Sequence, residues 1–208
     1  MARVGEGARS EAAVFVPTRP RRFAVAGALA ALFAVADRLS KAWVLDELAG
    51  TGRTVEVLPG IVGFRFAANT GAAFSLGEGY GWVFVLFALV MVAAALWYLA
   101  SEPVLSAAEV AGLGMVVGGA VGNAIDRVAL GYVVDFIACE FIDFPVFNVA
   151  DIGVTVGVAV TFIGFALVNP ANRVNGAEEA GAAAGEAPGA DAREDGDGGA
   201  DEASGGPR

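Results

Sequence analysis

Four stretches of apolar sequence, at residues 23–45, 81–100, 109–125 and 148–168, approach the ~20 residues that a helix needs to cross about 30 Å of hydrocarbon. Four such runs leave little besides a helical membrane protein. The composition agrees: 56% of residues are hydrophobic, 17% are charged and the mean hydropathy is +0.63, a balance that a water-soluble domain of 208 residues would struggle to hide. The third run is the shortest and is polar at both ends. Arg19, Arg21 and Arg22 directly precede the first run and Arg173 follows the fourth, which predicts that both termini face the cytoplasm. A second reading of the N-terminus, as a cleavable export signal with Arg21-Arg22 and an Ala34-Val35-Ala36 cleavage point, competes with this. The apolar run continues past that point into Trp43, Val44 and Leu45, so an uncleaved first span is favoured.

Between the first two spans, Thr54–Leu58 and residues 61–66 are β-branched and aromatic with partial alternation, and Pro59-Gly60 separates them. They predict a small hairpin or sheet whose apolar residues rest on the outer membrane surface. The fold class expected is therefore an all-α membrane protein of four transmembrane helices with a small extracytoplasmic β-sheet between helices 1 and 2. Residues 1–22 read as a basic cytoplasmic extension, 23–170 as the membrane domain and 171–208 as a disordered acidic cytoplasmic tail. Residues 174–208 hold nine acids against Arg193 and Arg208, so −7 of the formal charge of −10 lies there. A segment so rich in Gly, Ala, Glu and Asp cannot bury enough surface to offset its ordering entropy.

The chain has no histidine. A Ser-His-Asp triad, a Cys-His pair and an HExxH zinc site are excluded, and the single Cys139 lacks the companions that a metal site needs. No cofactor, metal or nucleic-acid partner is expected. Carboxylates remain. Asp135, in Tyr132-Val133-Val134-Asp135-Phe136, and Asp151, in Phe147-Asn148-Val149-Ala150-Asp151, lie in apolar surroundings, where an acid costs several kcal/mol unless it is paired, hydrated or protonated. Two such acids that meet could share a proton, one acting as base while the other stays protonated. That chemistry fits peptide hydrolysis by activated water, with no metal and no covalent intermediate. Glu140 and Asp143 are rivals for a place in the pair that spacing alone does not exclude.

With the N-terminus inside, the unusual polar residues fall at the extracytoplasmic ends of the spans. Asp37 and Lys41, at i,i+4 and roughly 21 Å along the first span, share a face as an ion pair. Asn69 and Gly71 precede span two. Asn123, Asp126 and Arg127 close span three after the small residues Gly118, Gly119 and Gly122, which favour close helix packing; Asp126 and Arg127 read as an interfacial ion pair. Asn148 opens span four, as a helix cap or a site residue, and shares a face with Asp151. A proton-coupled carrier relaying through Asp135, Asp151 and Lys41 is the alternative function. A relay calls for polar residues through the membrane's depth, whereas the inner halves of spans two and four are almost purely apolar. A non-enzymatic scaffold leaves the intramembrane acids without a purpose.

Five blocks, in order, resemble a known family: Asp37-x-x-x-Lys41, Asn69-x-Gly71-Ala72-Ala73-Phe74-Ser75, Gly118-Gly119-Ala120-x-Gly122-Asn123-x-x-Asp126-Arg127, Val133-Val134-Asp135-Phe136 and Phe147-Asn148-x-Ala150-Asp151. The chain is similar to bacterial lipoprotein signal peptidase, also called signal peptidase II, from about Asp37 to Thr155. The resemblance implies a four-helix aspartic endopeptidase of the bacterial cytoplasmic membrane that removes signal peptides from diacylglyceryl-modified prolipoproteins, cutting just before the lipidated cysteine. It implies that Asp135 and Asp151 are the catalytic pair. Asn123, Arg127 and Asn148 then hold and polarise the site, supported by Asn69, Gly71, Asp126 and the Asp37/Lys41 face. It further implies inhibition by the cyclic peptide globomycin and a sheet that cradles substrate. The basic N-terminal extension and the acidic tail fall outside the shared core.

Overall fold

The computed structural model describes residues 17–71 and 80–169. The segment before residue 17, the Ala72-Ala73-Phe74-Ser75 part of the second block and the acidic tail lie outside the described residues. Four helices are long and apolar enough to cross a membrane: α1 (Arg19–Glu47), α2 (Gly81–Ser101), α3 (Ala107–Leu130) and α4 (Val149–Ile163), which continues as a π-helical turn over Gly164–Val168. Three strands, β1 (Thr54–Leu58), β2 (Val62–Asn69) and β3 (Val133–Cys139), form one antiparallel sheet in the order β1-β2-β3. The β1–β2 hairpin is the one read from the sequence. The third strand comes from the segment joining α3 to α4, and it carries Asp135.

Two helix ends differ from the hydropathy reading. The third run covers residues 109–125, yet α3 continues to Leu130 and ends on Gly131, whose φ of 82° suits glycine. Hydropathy drops there because Asn123, Asp126 and Arg127 are polar, while the helix persists because neighbouring elements satisfy them. At the other end, Arg19, Arg21 and Arg22 form the first turn of α1. Arg22 is buried and donates to the carbonyls of Pro17 at 2.9 Å, Glu102 at 2.6 Å and Pro103 at 2.7 Å. It thereby ties the start of α1 to the chain leaving α2, beside an apolar cluster built on Ala26, Leu99, Leu105 and Val110.

α3 is the central helix, packed between α1 and α4 and also touching α2. Its glycines set the spacing. A Cβ on Gly118 would stand 2.5 Å from the Ala30 carbonyl of α1, and one on Gly112 would stand 2.5 Å from the Gly157 carbonyl of α4. Close backbone approach lets dispersion hold helices together where lipid supplies no hydrophobic drive. The outer faces keep large apolar side chains such as Leu39, Trp82, Trp97 and Phe162 exposed, as a lipid-facing surface requires.

The sheet caps the bundle end formed by the C-termini of α1 and α3 and the N-termini of α2 and α4. Strand alternation turns Val134 and Phe136 onto Val44 of α1 and Leu48 at its C-cap, with Phe64 edge-on to Phe136 at 5.4 Å. The same alternation turns Asp135 the other way. Beyond β3 the chain folds back so that Phe147 pairs with Ile137: its carbonyl accepts from Phe136 N at 3.0 Å and Ile137 N at 2.8 Å, and its N–H donates to Ile137 O at 3.1 Å. That closure delivers Asn148, the first residue of the α4 cap, beside Asp135.

Candidate active site

Asp135 and Asp151 come together at this junction of sheet and bundle. Both line one cavity of about 530 Å³, with Asn69, Asn123 and Arg127 on its polar side and Phe144, Val146 and Ile152 on its apolar side. Asn148 links them. Its amide nitrogen donates to Asp135 Oδ1 at 2.7 Å, while its backbone N–H donates to Asp151 Oδ2 at 3.1 Å and its own Oδ1 accepts from Asp151 N at 2.9 Å. The last two bonds are a reciprocal capping box on α4. Asn148 is thus both helix cap and bridge between the two acids.

Each carboxylate has a second amide partner. Asn69 Nδ2 donates to Asp135 Oδ2 at 2.8 Å, and Asn123 Nδ2 donates to Asp151 Oδ1 at 2.7 Å. Asn123 Oδ1 in turn accepts from Asn148 Nδ2 at 3.1 Å and from Lys41 Nζ at 3.0 Å, so one amide ties the pair to a buried cation. Asp135 is 3% exposed. Burial pushes its pKa up to about 6; the charge of Asp151 adds to the rise, and the bonds from Asn69 and Asn148 oppose it.

Beneath the pair lies an ionic cluster with no solvent access. Lys41 is 0% exposed, and its three ammonium protons meet Asp37 Oδ2 at 2.8 Å, Asp126 Oδ2 at 3.0 Å and Asn123 Oδ1. Both acids also accept from the backbone. Asp37 Oδ1 accepts from Ala150 N at 2.9 Å and Asp126 Oδ2 accepts from Val134 N at 3.1 Å. Ala150 immediately precedes Asp151, and Val134 immediately precedes Asp135. One lysine therefore pins, through two carboxylates, the chain position before each member of the pair.

The expected Asp37/Lys41 ion pair is present. An Asp126/Arg127 pair is not: Asp126 pairs with Lys41 and, at 3.2 Å, with Arg38. Consecutive helical residues diverge by about 100°, so Arg127 turns toward the cavity instead. There it donates to Gly71 O at 3.0 Å and Asn123 O at 3.3 Å and lies 5.0 Å over the Phe84 ring. Gly71 N donates to Asn69 Oδ1 at 2.9 Å, which fixes the turn that leaves β2. Glu140 and Asp143 are exposed and do not line the cavity. Asp135 and Asp151 are the acids that meet.

Residues 29–167 match the family model of signal peptidase (SPase) II. The chain belongs to the signal peptidase II family. Among relatives, the lipoprotein signal peptidases of Streptococcus pyogenes serotype M1 and of serotype M5 (strain Manfredo) are each 39% identical over 132 residues, covering 64% of this chain and 86% of theirs. Two solved structures of a bacterial membrane enzyme, obtained by the in meso method at 2.3 and 1.9 Å resolution, superpose with TM-scores of 0.63 and 0.61 at 27% identity. They cover 68% of this chain and 87% and 92% of their own. This signal peptidase II family member is thus a peptidase in a four-helix membrane fold.

Several partners in the site escape the motifs. Arg38, Phe84 and the two backbone amides of Val134 and Ala150 carry no pattern of their own, although an arginine inside an apolar span was a signal for the first. The apolar wall of Phe144, Val146 and Ile152 is recognisable only once β3 and α4 are closed together by Phe147.

Proposed function

We propose that the protein is an aspartic endopeptidase that removes signal peptides from diacylglyceryl-modified prolipoproteins, cutting just before the lipidated cysteine. The observation that carries the reading is the convergence of Asp135 and Asp151 on one cavity through Asn148, at the end of a bundle that holds no histidine. The names of the Streptococcus pyogenes relatives support the substrate class.

In this mechanism the ionised acid takes a proton from a water held between the carboxyl groups, and the protonated acid polarises the scissile carbonyl. The water oxygen bonds to the carbonyl carbon, and the proton gained by the base passes to the leaving nitrogen as the C–N bond breaks. We assign the retained proton to Asp135, whose burial keeps it protonated closer to neutral pH than an ordinary carboxyl group. Asp151, in the first turn of α4, sits where the helix dipole favours negative charge and acts as the base. Asn123, Asn148 and Asn69 hold the two carboxyl groups in register. Arg127 fixes Gly71 and presents positive charge to the cavity. Asp37, Lys41 and Asp126 position the backbone beneath.

Purified protein in detergent micelles tests the reading with a diacylglyceryl-modified prolipoprotein and its unmodified precursor. The expected result is cleavage of the first alone, with the lipidated cysteine as the new N-terminus by mass spectrometry and with inhibition by globomycin. Equal cleavage of both precursors overturns the substrate class.

The scheme places the sheet and the acid pair on the outer face of the bacterial cytoplasmic membrane and both termini inside, supported by the arginines at the start of α1. A Cys139→Ser chain with Glu140→Cys, at an exposed position beside the sheet, is expected to react with a membrane-impermeant maleimide in spheroplasts, whereas Ser101→Cys at the other bundle end is expected to stay unlabelled. The reverse pattern inverts the topology.

A further inference from the structure

Among the described residues, two apolar depressions reach Asp151, along different faces of α4, and the first of them also reaches Asp135. The first is the 530 Å³ cavity already described, which extends under Phe144 and Val146 and along Ile152 and Val156 of α4. The second begins at the same Asn123, Arg127, Asp151 and Thr155 but lies between α2 and α4, walled by Phe84, Met91 and Val154. It leads along α3 into a further groove of about 590 Å³ that shares Met91 and continues over Ala94, Val116 and Val158 to Tyr98 and Phe165. Ile152 and Val154 are two residues apart, about 200° round a helix. Their stripes on α4 therefore face different spaces.

The two spaces differ in depth. The first ends at Val156, about 8 Å along α4 from Asp151 at 1.5 Å per residue. The second runs from Asp151 to the level of Phe165, about 20 Å by the same rise. A signal peptide has an apolar core of about 7–15 residues, roughly 10–22 Å long as a helix. It crosses the membrane in the direction of this groove and ends at the scissile bond. The glyceryl group and its acyl chains, carried by the residue on the other side of that bond, stay in a single leaflet.

Resting on the proposed function, we infer that the long groove between α2 and α4 seats the signal-peptide helix. The shallow cavity beside Ile152 and Val156 seats the diacylglyceryl group of the cysteine that follows the cut. The scissile peptide then lies across Thr155, one of the residues common to both, against Asp135 and Asp151. Selectivity for the two halves of the substrate is written on separate stripes of α4 and on the facing side of α2.

Ala94 and Val156 are both exposed, so larger side chains fill each space without entering the core. Two ratios of kcat/KM read the assignment: a full-length signal peptide over one truncated to a few residues before the cysteine, and a dipalmitoyl over a dioctanoyl glyceryl group. Ala94→Phe is expected to lower the first ratio about tenfold, the scale on which a filled apolar pocket discriminates, and to move the second less than about twofold. Val156→Trp is expected to do the opposite, with thermal melts confirming that both variants fold. Exchanged effects, or both ratios moving together in either variant, overturn the assignment; an unmoved first ratio in Ala94→Phe shows a groove occupied by bilayer lipid only and overturns it too. Absence of cleavage by the wild type strikes the proposed function instead. Photocrosslinking from position 94 to the signal peptide then decides the groove by itself, a crosslink supporting it and a crosslink only to lipid overturning it.

Discussion

Asp135→Asn and Asp151→Asn are each expected to yield a folded protein that cleaves diacylglyceryl-prolipoprotein at least roughly 10³-fold more slowly than wild type. General acid–base catalysis by one positioned group is worth about 10²–10⁴-fold, and a pair that shares a proton fails when either member goes. Undiminished turnover in either variant removes that residue from the pair. A pH series adds a sign that a merely structural role does not produce. In the proposed mechanism Asp135, its pKa raised to about 6, holds the proton that catalysis needs, so kcat/KM is expected to fall as pH rises above about 6. The stability linkage runs the same way. A carboxyl with a folded pKa above its ordinary 3.8 contributes stability that is whole below about pH 4 and lost as pH rises through about 6. Wild type therefore loses stability relative to Asp135→Asn across that window, by up to about 3 kcal/mol for a shift of this size, whatever constant offset the amides facing Asn add. Melting temperatures of the two proteins measured from pH 4 to 7 check it: a difference that does not vary with pH refutes the raised pKa.

Lys41→Met is expected to be the most damaging single change outside the pair. Removing one partner of a buried ion pair costs about 3–5 kcal/mol, because the charge left behind is uncompensated. Here two acids, Asp37 and Asp126, are left, each 1% exposed. Among the described residues, Arg38, half exposed, is the ion-pair partner left to Asp126. The loss of fold and the loss of function are separable. Lys41→Met combined with Asp37→Asn removes one orphaned charge and is expected to recover much of the melting temperature. Activity is expected to stay low, because an Asn at 37 holds the Ala150 amide less firmly and nothing orders Asn123 from below. Full recovery of kcat in the double variant would show that the cluster serves stability alone.

The extent of this architecture that can be read from sequence follows the range of the interactions. Helices α1, α2 and α4 are visible because lipid imposes a length and a composition on each segment by itself. The hairpin β1–β2 is local too, and its turn residues announce it. β3 is hidden, since a buried run such as Val133-Val134-Asp135-Phe136 has no alternation to read and becomes a strand only by docking on β2, whose residues are some 66 positions earlier at the Asn69–Asp135 bond. The end of α3 was lost for a related reason: polar side chains satisfied by distant partners mimic a helix terminus. The candidate acids themselves stood out because charge is costly in apolar surroundings. Their support through Val134 N and Ala150 N did not, because a backbone amide has no sequence signature, and neither did the choice of Arg127 to desert Asp126 for Gly71.

The closure at Ile137 and Phe147 carries one more implication. Three hydrogen bonds gather the chain into a neck there, and past the end of β3 the turn from Phe141 to Asp143 lies outside both the sheet and the cavity lining. Phe141 and Ile142 are exposed in that turn. Lengthening, shortening or recolouring this appendage leaves the neck, and hence the spacing of Asp135 from Asn148, where it is. Evolution is free to remodel this exposed turn while Asp135 and Asp151 stay put.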